Sequence, residues 1–450
     1  MILQNEYLVP FFLVSLLNAV LSQDVTEIKK YGCRWYGGSS ARLVCDCQEG
    51  TEMTIGAKSI PAFDTTEVQI SRCKVLRFEE NSVMEMKNLR TLNLTDIASI
   101  VFDTRSLNWY GFREENAQDE RFDVTVPSLR IYIYNSNVSL ISSHAFAGRI
   151  NEIVFDGAII EKIQPFAFSN LLQTERITIR NSEIKDIEVQ AFKRFSTEYL
   201  DLDGVTAPLV PSRAFANVTV YQNMTLAHCV FDTVRPGGFV INDPKAFQVT
   251  NSNISQLNGE AFKVSSRGTV IFRGNFFGEV HDGAFGGIKL RRDFSSGDSL
   301  FIFDSNTFSK LTRYSLTVEP SARFRNMYMS QPCECADLDR KIKENAFFGD
   351  MNCLHENQYV AVKEFRAGMC SVVNNYYITI IIVCVVAVAL VVVLTVLVLY
   401  YKHVYRSRKY GKGERGKGGN LSLIVPDGRT YRETELHVIV EKTDLLTTDL

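Results

Sequence analysis

An internal repeat limits this chain more than any other feature, because a repeating chain folds by stacking like units side by side. Taking the second apolar residue of each alternating pair as origin gives Ile70, Leu94, Ile133, Phe155, Ile179, Leu202, Leu226, Val249, Phe272 and Phe303. Successive origins lie 22–24 residues apart, except for 39 after Leu94 and 31 after Phe272, which mark insertions near 108–127 and 286–298. Five residues past the origin come Val75, Val138, Ile160, Ile184, Phe231, Ile254, Phe277 and Phe308, with Ser99 and Ala207 as weak members. Eight past it lie residues such as Phe78, Ile141, Ile187 and Leu257. Thirteen past it lie Phe146, Phe168, Phe192, Phe215, Phe239, Phe262 and Phe285, mostly preceded by Ala. The alternating pair predicts a short strand with one face inward, and the later apolar positions turn the chain back over that face. One such unit cannot bury its apolar side, but about ten stacked units can.

The unit reads L-x-L-x-x-N-x-L-x-x-L with a phenylalanine on the return, and it resembles the leucine-rich repeat. Its polar turn position holds Cys73, Ser136, Ser182, Cys229, Ser252, Asn275 and Asn306, while Ile97, Ala158 and Val205 depart from the pattern. The resemblance implies an α/β-type solenoid over residues 67–330, a curved array with short parallel strands on its concave side. A β-solenoid of another type is the alternative, since Phe and Ile replace Leu so often.

Four of the ten cysteines lie between 33 and 73 and four between 333 and 370, which points to an oxidising compartment and disulfide-closed ends. The resemblance implies a C-terminal cap over 331–371, with Cys333 paired to Cys353 and Cys335 to Cys370. Cys33, Cys45, Cys47 and Cys73 match an N-terminal cap over 23–66 less cleanly. Their pairing stays open, since Cys73 also fits a free packing role in the first turn.

Residues 1–22 read as a signal peptide, apolar from Leu8 to Val20 and ending in Val-Leu-Ser. Ile378–Leu399 is a run of 22 residues without a charge, about 33 Å as a helix and enough to cross a bilayer. It follows a juxtamembrane stretch at 372–377, with tyrosines at both ends and Lys402, Arg406, Arg408 and Lys409 just beyond. Positive residues stay inside, so the expectation is a single-pass type I protein of the plasma membrane with 400–450 as its cytoplasmic tail.

With 51 acidic and 49 basic side chains the net charge is −2, which removes any global case for nucleic acid as partner. No enzyme, metal or cofactor is expected: the six histidines lack metal-ligand spacing, and Gly411–Lys417 misses the Ser or Thr of a phosphate loop. Asn93, Asn137, Asn217, Asn223 and Asn253 head glycosylation sequons and are expected to face solvent. Outward strand residues form the candidate ligand surface: Arg130, Tyr132, Tyr134, Asp156, Arg176, Arg180, Tyr199, Asp201 and Asp203. Tyr and Arg beside acids are side-chain types enriched at protein hot spots. In the tail, Glu441 with Leu445 and Leu446 fits a dileucine signal for a clathrin adaptor, and Thr448 with Leu450 fits a ligand for a PDZ scaffold.

The expected function is a cell-surface receptor or adhesion protein that binds a protein ligand through its repeats and recruits adaptors by its tail. The alternative is a co-receptor or trafficking partner acting laterally on another membrane protein. Cell aggregation on expression speaks for adhesion, and recovery of a complex from a single membrane speaks for the lateral role.

Overall fold

A computed structural model describes residues 31–410, apart from 38–40, 58, 61–64, 85, 87, 110–127, 173, 292–299 and 319–321. The signal segment, most of the first insertion, the end of the second, and the tail motifs Glu441 to Leu450 lie outside the described residues. Two units are distinguished, Met1–Asn375 and Tyr376–Leu450.

The first is a parallel-strand β-solenoid. Its alternation is plain in the strand Thr174–Arg180, where Ile177 and Ile179 are buried, Thr178 is half-buried and Arg180 is exposed. Stacking keeps like on like: Ile179 pairs with Phe155 on one side and Leu202 on the other. Each turn then runs through a short strand of a second sheet, such as Glu183–Ile184, and comes back through a return strand, such as Phe192–Lys193, that belongs to the same 20-stranded sheet as Thr174–Arg180. The return leg is therefore extended, and among the described residues no helix lies between Cys33 and Pro332. The α/β element of the expectation gives way to strands on every side, because the return legs carry β-favouring Phe, Val and Ile in register with their neighbours.

Corners make this possible. Two residues past each origin the backbone is left-handed, with φ between 46 and 66° at Arg72, Asp96, Asn135, Gly157, Asn181, Gly204, His228, Asn251, Gly274, Ser305 and Asn326. Asn and Gly tolerate that region best, which explains their frequency there. At Gly274 a Cβ would come within 2.5 Å of Asn251 Oδ1, so the asparagine of one turn occupies the space that the next turn's glycine leaves.

Beside these corners the polar turn position forms a buried ladder. Ser182 Oγ accepts from the Ala158 amide at 3.0 Å, and Ser252 Oγ from the Cys229 amide at 3.0 Å. Asn275 Oδ1 accepts from Ser252 N, while its Nδ2 donates to the Val249 carbonyl at 2.8 Å. Backbone groups that the corner would orphan are satisfied in this way. On the far side of the core the return phenylalanines stack ring on ring. Phe146, Phe168, Phe192 and Phe215 have successive centroids 4.8, 4.5 and 4.4 Å apart, and all are buried.

The register differs from expectation in one place. Val75 and Ser99 do not point inward; Leu76 and Ile100, one residue later, are fully buried and pair with each other. In those early units the inward residues stand two apart, Leu76 and Phe78. From Val138 onward a bulge separates them by three, Val138 and Ile141.

The array is longer than ten units. Cys45 pairs with Ile70, and Phe324 stacks on Phe303 at 4.9 Å, adding a turn at each end. Disulfides close both ends: Cys33–Cys45 and Cys47–Cys73 at one, Cys333–Cys353 and Cys335–Cys370 at the other. Cys73 is thus a bonded end residue, and the free cysteines among the described residues are Cys229, buried, and Cys384, exposed. The helix Cys335–Glu344 sets the buried Leu338 into the C-terminal end of the core.

The second unit is helical from Tyr376 as the continuation of the helix Ser371–Tyr410, and 31 residues, Tyr376–Arg406, are long and apolar enough to cross a membrane. That helix and the disulfides fit a membrane-anchored extracellular protein.

Candidate functional site

Four neighbouring strands carry all nine candidate ligand residues: Leu129–Tyr134, Ile150–Asp156, Thr174–Arg180 and Ser196–Asp203. Parallel pairing, in register from the Arg130–Glu152 pair onward after a shift between Ile150 and Glu152, puts Tyr134, Asp156, Arg180 and Asp203 in one row, and Arg130, Glu152, Arg176 and Tyr199 in another. Tyr132 and Asp201 lie in the row between, with Val154 and Thr178 separating them. In-register strands are about 4.8 Å apart, so side chains in one row meet directly.

They meet as partners. Arg180 reaches Asp156 at 2.8 Å, and Asn181 donates to the same carboxylate at 3.1 Å. Arg176 bonds Asp201 at 2.8 Å while its guanidinium lies 4.3 Å from the centre of the Tyr199 ring. Tyr132 donates to Glu152 at 2.6 Å, and its ring stacks with that of Tyr134 at 6.2 Å. Asp203 meets His228 of the following turn at 2.8 Å.

The two central carboxylates differ in charge environment. Burial pushes Asp156 up, but the hydrogen bonds from Asn181 and Arg180 together outweigh it and hold the group below the usual carboxylate range. At Asp201 burial prevails over Arg176 and Thr225, and its carboxyl is raised. Burial first, then the Glu152 carboxylate, pushes the Tyr132 phenol up to about 12. The arrangement is a set of oriented, half-exposed aromatic and charged groups, suited to docking a partner with matched donors and acceptors. Among the described residues no group of three His, Cys, Asp or Glu side chains could hold a metal.

The repeat region is similar to leucine-rich repeats of a known type. Residues 115–231 and 139–262 match the family model described as the BspA type leucine rich repeat region, in six copies, and this stretch contains all four strands of the candidate face. No curated protein matches the chain.

Glu152, Asn181 and His228 belong to the face and were missed by the sequence reading. Glu152 was findable, because it holds the same offset from its origin as Arg130 and Arg176 do. Asn181 and His228 sit at left-handed corners, where the sequence offers composition but no direction. The sequons divide: Asn217 and Asn253 are exposed, whereas Asn93, Asn137 and Asn223 are only partly so. Asn137 keeps its Oδ1 buried with no hydrogen-bond partner, so it departs from the expected solvent-facing position.

Proposed function

We propose that the chain is a cell-surface receptor or adhesion protein whose repeats recognise a protein ligand through the outward residues of the strands Leu129–Tyr134 to Ser196–Asp203. The observation that carries this reading is the Arg176–Tyr199–Asp201 unit. A guanidinium fixed by an ion pair and laid on an aromatic ring presents a stiff, half-exposed anchor, and Arg and Tyr supply much of the binding energy at protein interfaces. Lys402 and Arg406 at the end of the apolar helix support a cytoplasmic position for that end, and with it an extracellular one for the repeats. Glu441, Leu445 and Leu446 then serve as a cytoplasmic sorting signal.

The test displays the full-length chain on cells and screens it against a library of secreted and membrane ectodomains. Tyr199→Ala and Arg176→Ala are expected to weaken the captured ligand about tenfold or more, at unchanged surface level. Undiminished binding by the double variant would remove this face from the account. A partner recovered only from the same membrane would replace adhesion by the lateral, co-receptor role.

A further inference from the structure

The return legs turn a different surface outward. Lys193 and Arg194 follow Phe192 at the end of one leg, Arg213 stands at a left-handed corner one turn on, and Lys263 and Lys289 lie two and three turns beyond that. Among the described residues, Lys193, Arg194, Arg213 and Lys289 are in no ion pair with a carboxylate. Lys193 donates instead to the neutral Gln190 at 2.8 Å and rests 4.3 Å from the Phe166 ring centre. Desolvation first, then the charges of Arg194 and Arg213, hold its amine below the usual lysine range, as expected where three cations share a surface. Lys263 does pair, with Glu260 at 2.7 Å.

A cavity of about 480 Å³ opens on the same legs, lined among others by Asn242, Lys263, Ser265, Gly286, Gly287 and Lys289. At Gly287 a Cβ would come within 2.6 Å of the Phe262 carbonyl oxygen, so only glycine permits this approach of one leg to the next. The lining therefore offers two ammonium groups, an amide and the hydroxyls of Ser265 and Thr317 over a glycine floor. The Glu260 carboxylate, also in the lining, is taken up by Lys263, so that among the described residues Lys289 is the lining cation without a carboxylate partner.

We propose that this return face, from Lys193 to Lys289, docks a linear sulfated polysaccharide, with the cavity seating one anionic sugar. The cations span five turns, four steps of about 4.8 Å or about 19 Å in all. Lys193 and Lys263 share one position along the leg, Arg194, Arg213 and Lys289 flank it within three residues, and none of the five lies on the turn of Phe239. They form a broken row along the stacking direction rather than a compact spot. A linear polyanion meets such a row at successive charges, and sugar hydroxyls suit Asn242 and Ser265. Disulfide-closed ends fit an extracellular setting, where linear polyanions are sulfated glycans rather than nucleic acids. The strand face has no comparable surplus, since its arginines at 176 and 180 are matched by carboxylates.

The experiment measures binding of heparin oligosaccharides to the full-length chain in detergent, over a range of salt. Lys193→Gln with Arg194→Gln and Arg213→Gln, and separately Lys263→Gln with Lys289→Gln, are each expected to weaken binding about tenfold or more. Arg176→Gln with Arg180→Gln on the strand face leaves it unchanged, and so separates this surface from the protein-binding one. Desulfated heparin is expected not to bind, and binding by the sulfated form falls steeply as salt rises. Asn217→Gln is measured alongside, because a sugar at that exposed corner would stand beside Arg194. Absence of heparin binding in both Asn217 forms overturns the proposal, as does binding that neither variant set alters. Equal binding of desulfated heparin, or displacement by polyglutamate with no heparin binding of its own, also overturns it, the latter pointing to an acidic protein.

Discussion

The strand face and the return legs are built from the same repeat, yet they are specified in opposite ways. On the return legs the inward position is nearly constant, an Ala followed by a Phe whose ring stacks on the next turn's ring. On the strand face the inward residues vary among Ile, Phe and Leu, and the outward rows change type at almost every step. Constancy is what a stacked core needs, because each unit is held only by its neighbours. Variety outward carries no folding cost when each charge finds its partner one strand away, and that is where recognition can be written.

The sharpest way to break this comparison is to truncate each side once. Phe192→Ala removes a fully buried ring and is expected to destabilise by about 3–5 kcal/mol, with loss of export, while Tyr199→Ala costs less than about 1 kcal/mol. Urea unfolding and surface expression read both. If Tyr199→Ala proved the costlier, the roles of the two sides would be reversed.

Opening the C-terminal end tests whether stacking needs a closed terminus. Replacing Cys335 and Cys370 together by Ser frees a loop with a sequence separation of 35 and is expected to cost about 2–5 kcal/mol. Peptide mapping without reductant that finds these thiols free in the native protein would remove the cap from the account.

The polar ladder lies between the two sides and should respond at an intermediate level. Asn275→Ala leaves the Ser252 amide without its partner and takes one hydrogen bond from the Val249 carbonyl in a buried corner, for a loss of about 1–3 kcal/mol. Asn275→Ser, which keeps one hydroxyl, is expected to recover part of that in thermal unfolding.

The smallest effect belongs to the strand face alone. A phenol raised to about 12 in the folded chain binds its proton more tightly than in the unfolded chain, whose tyrosines titrate near 10. The contribution of Tyr132 is therefore fully present below about pH 10 and is lost as pH rises through about 12. An absorbance titration should show one late-ionising tyrosine that disappears in Tyr132→Phe. A titration identical in the two proteins would mean that the burial of Tyr132 and its Glu152 contact, which together raise the phenol, are not present in solution.

Much of this fold was legible because burial and period coincide. The seven return phenylalanines are all buried, and the origin residues pair with one another turn by turn. The reading failed where backbone rather than side-chain pattern decides. Val75 and Ser99 were placed inward because a fixed offset was carried into units that lack the later bulge. Nor did the sequence distinguish a helical from an extended return, since a run such as Ala-Phe-Lys-Arg-Phe contains too few residues to display a period. Of the candidate face, the rows were readable from the offsets. The pairing within them was not, because whether Arg176 turns to Asp201 or to solvent depends on burial that no linear pattern records.

Substituted-cysteine labelling around a single turn tests the central claim, the register that sets one side inward and the other out. Ile179, Arg180, Phe192 and Arg194 are replaced by Cys one at a time in the full-length chain on intact cells, and each variant is exposed to a membrane-impermeant thiol reagent. The account expects rapid labelling at 180 and 194 and protection at 179 and 192, which is the alternation of exposed and buried positions in this turn. Labelling at 179 with protection at 180, or equal labelling at all four, would contradict it.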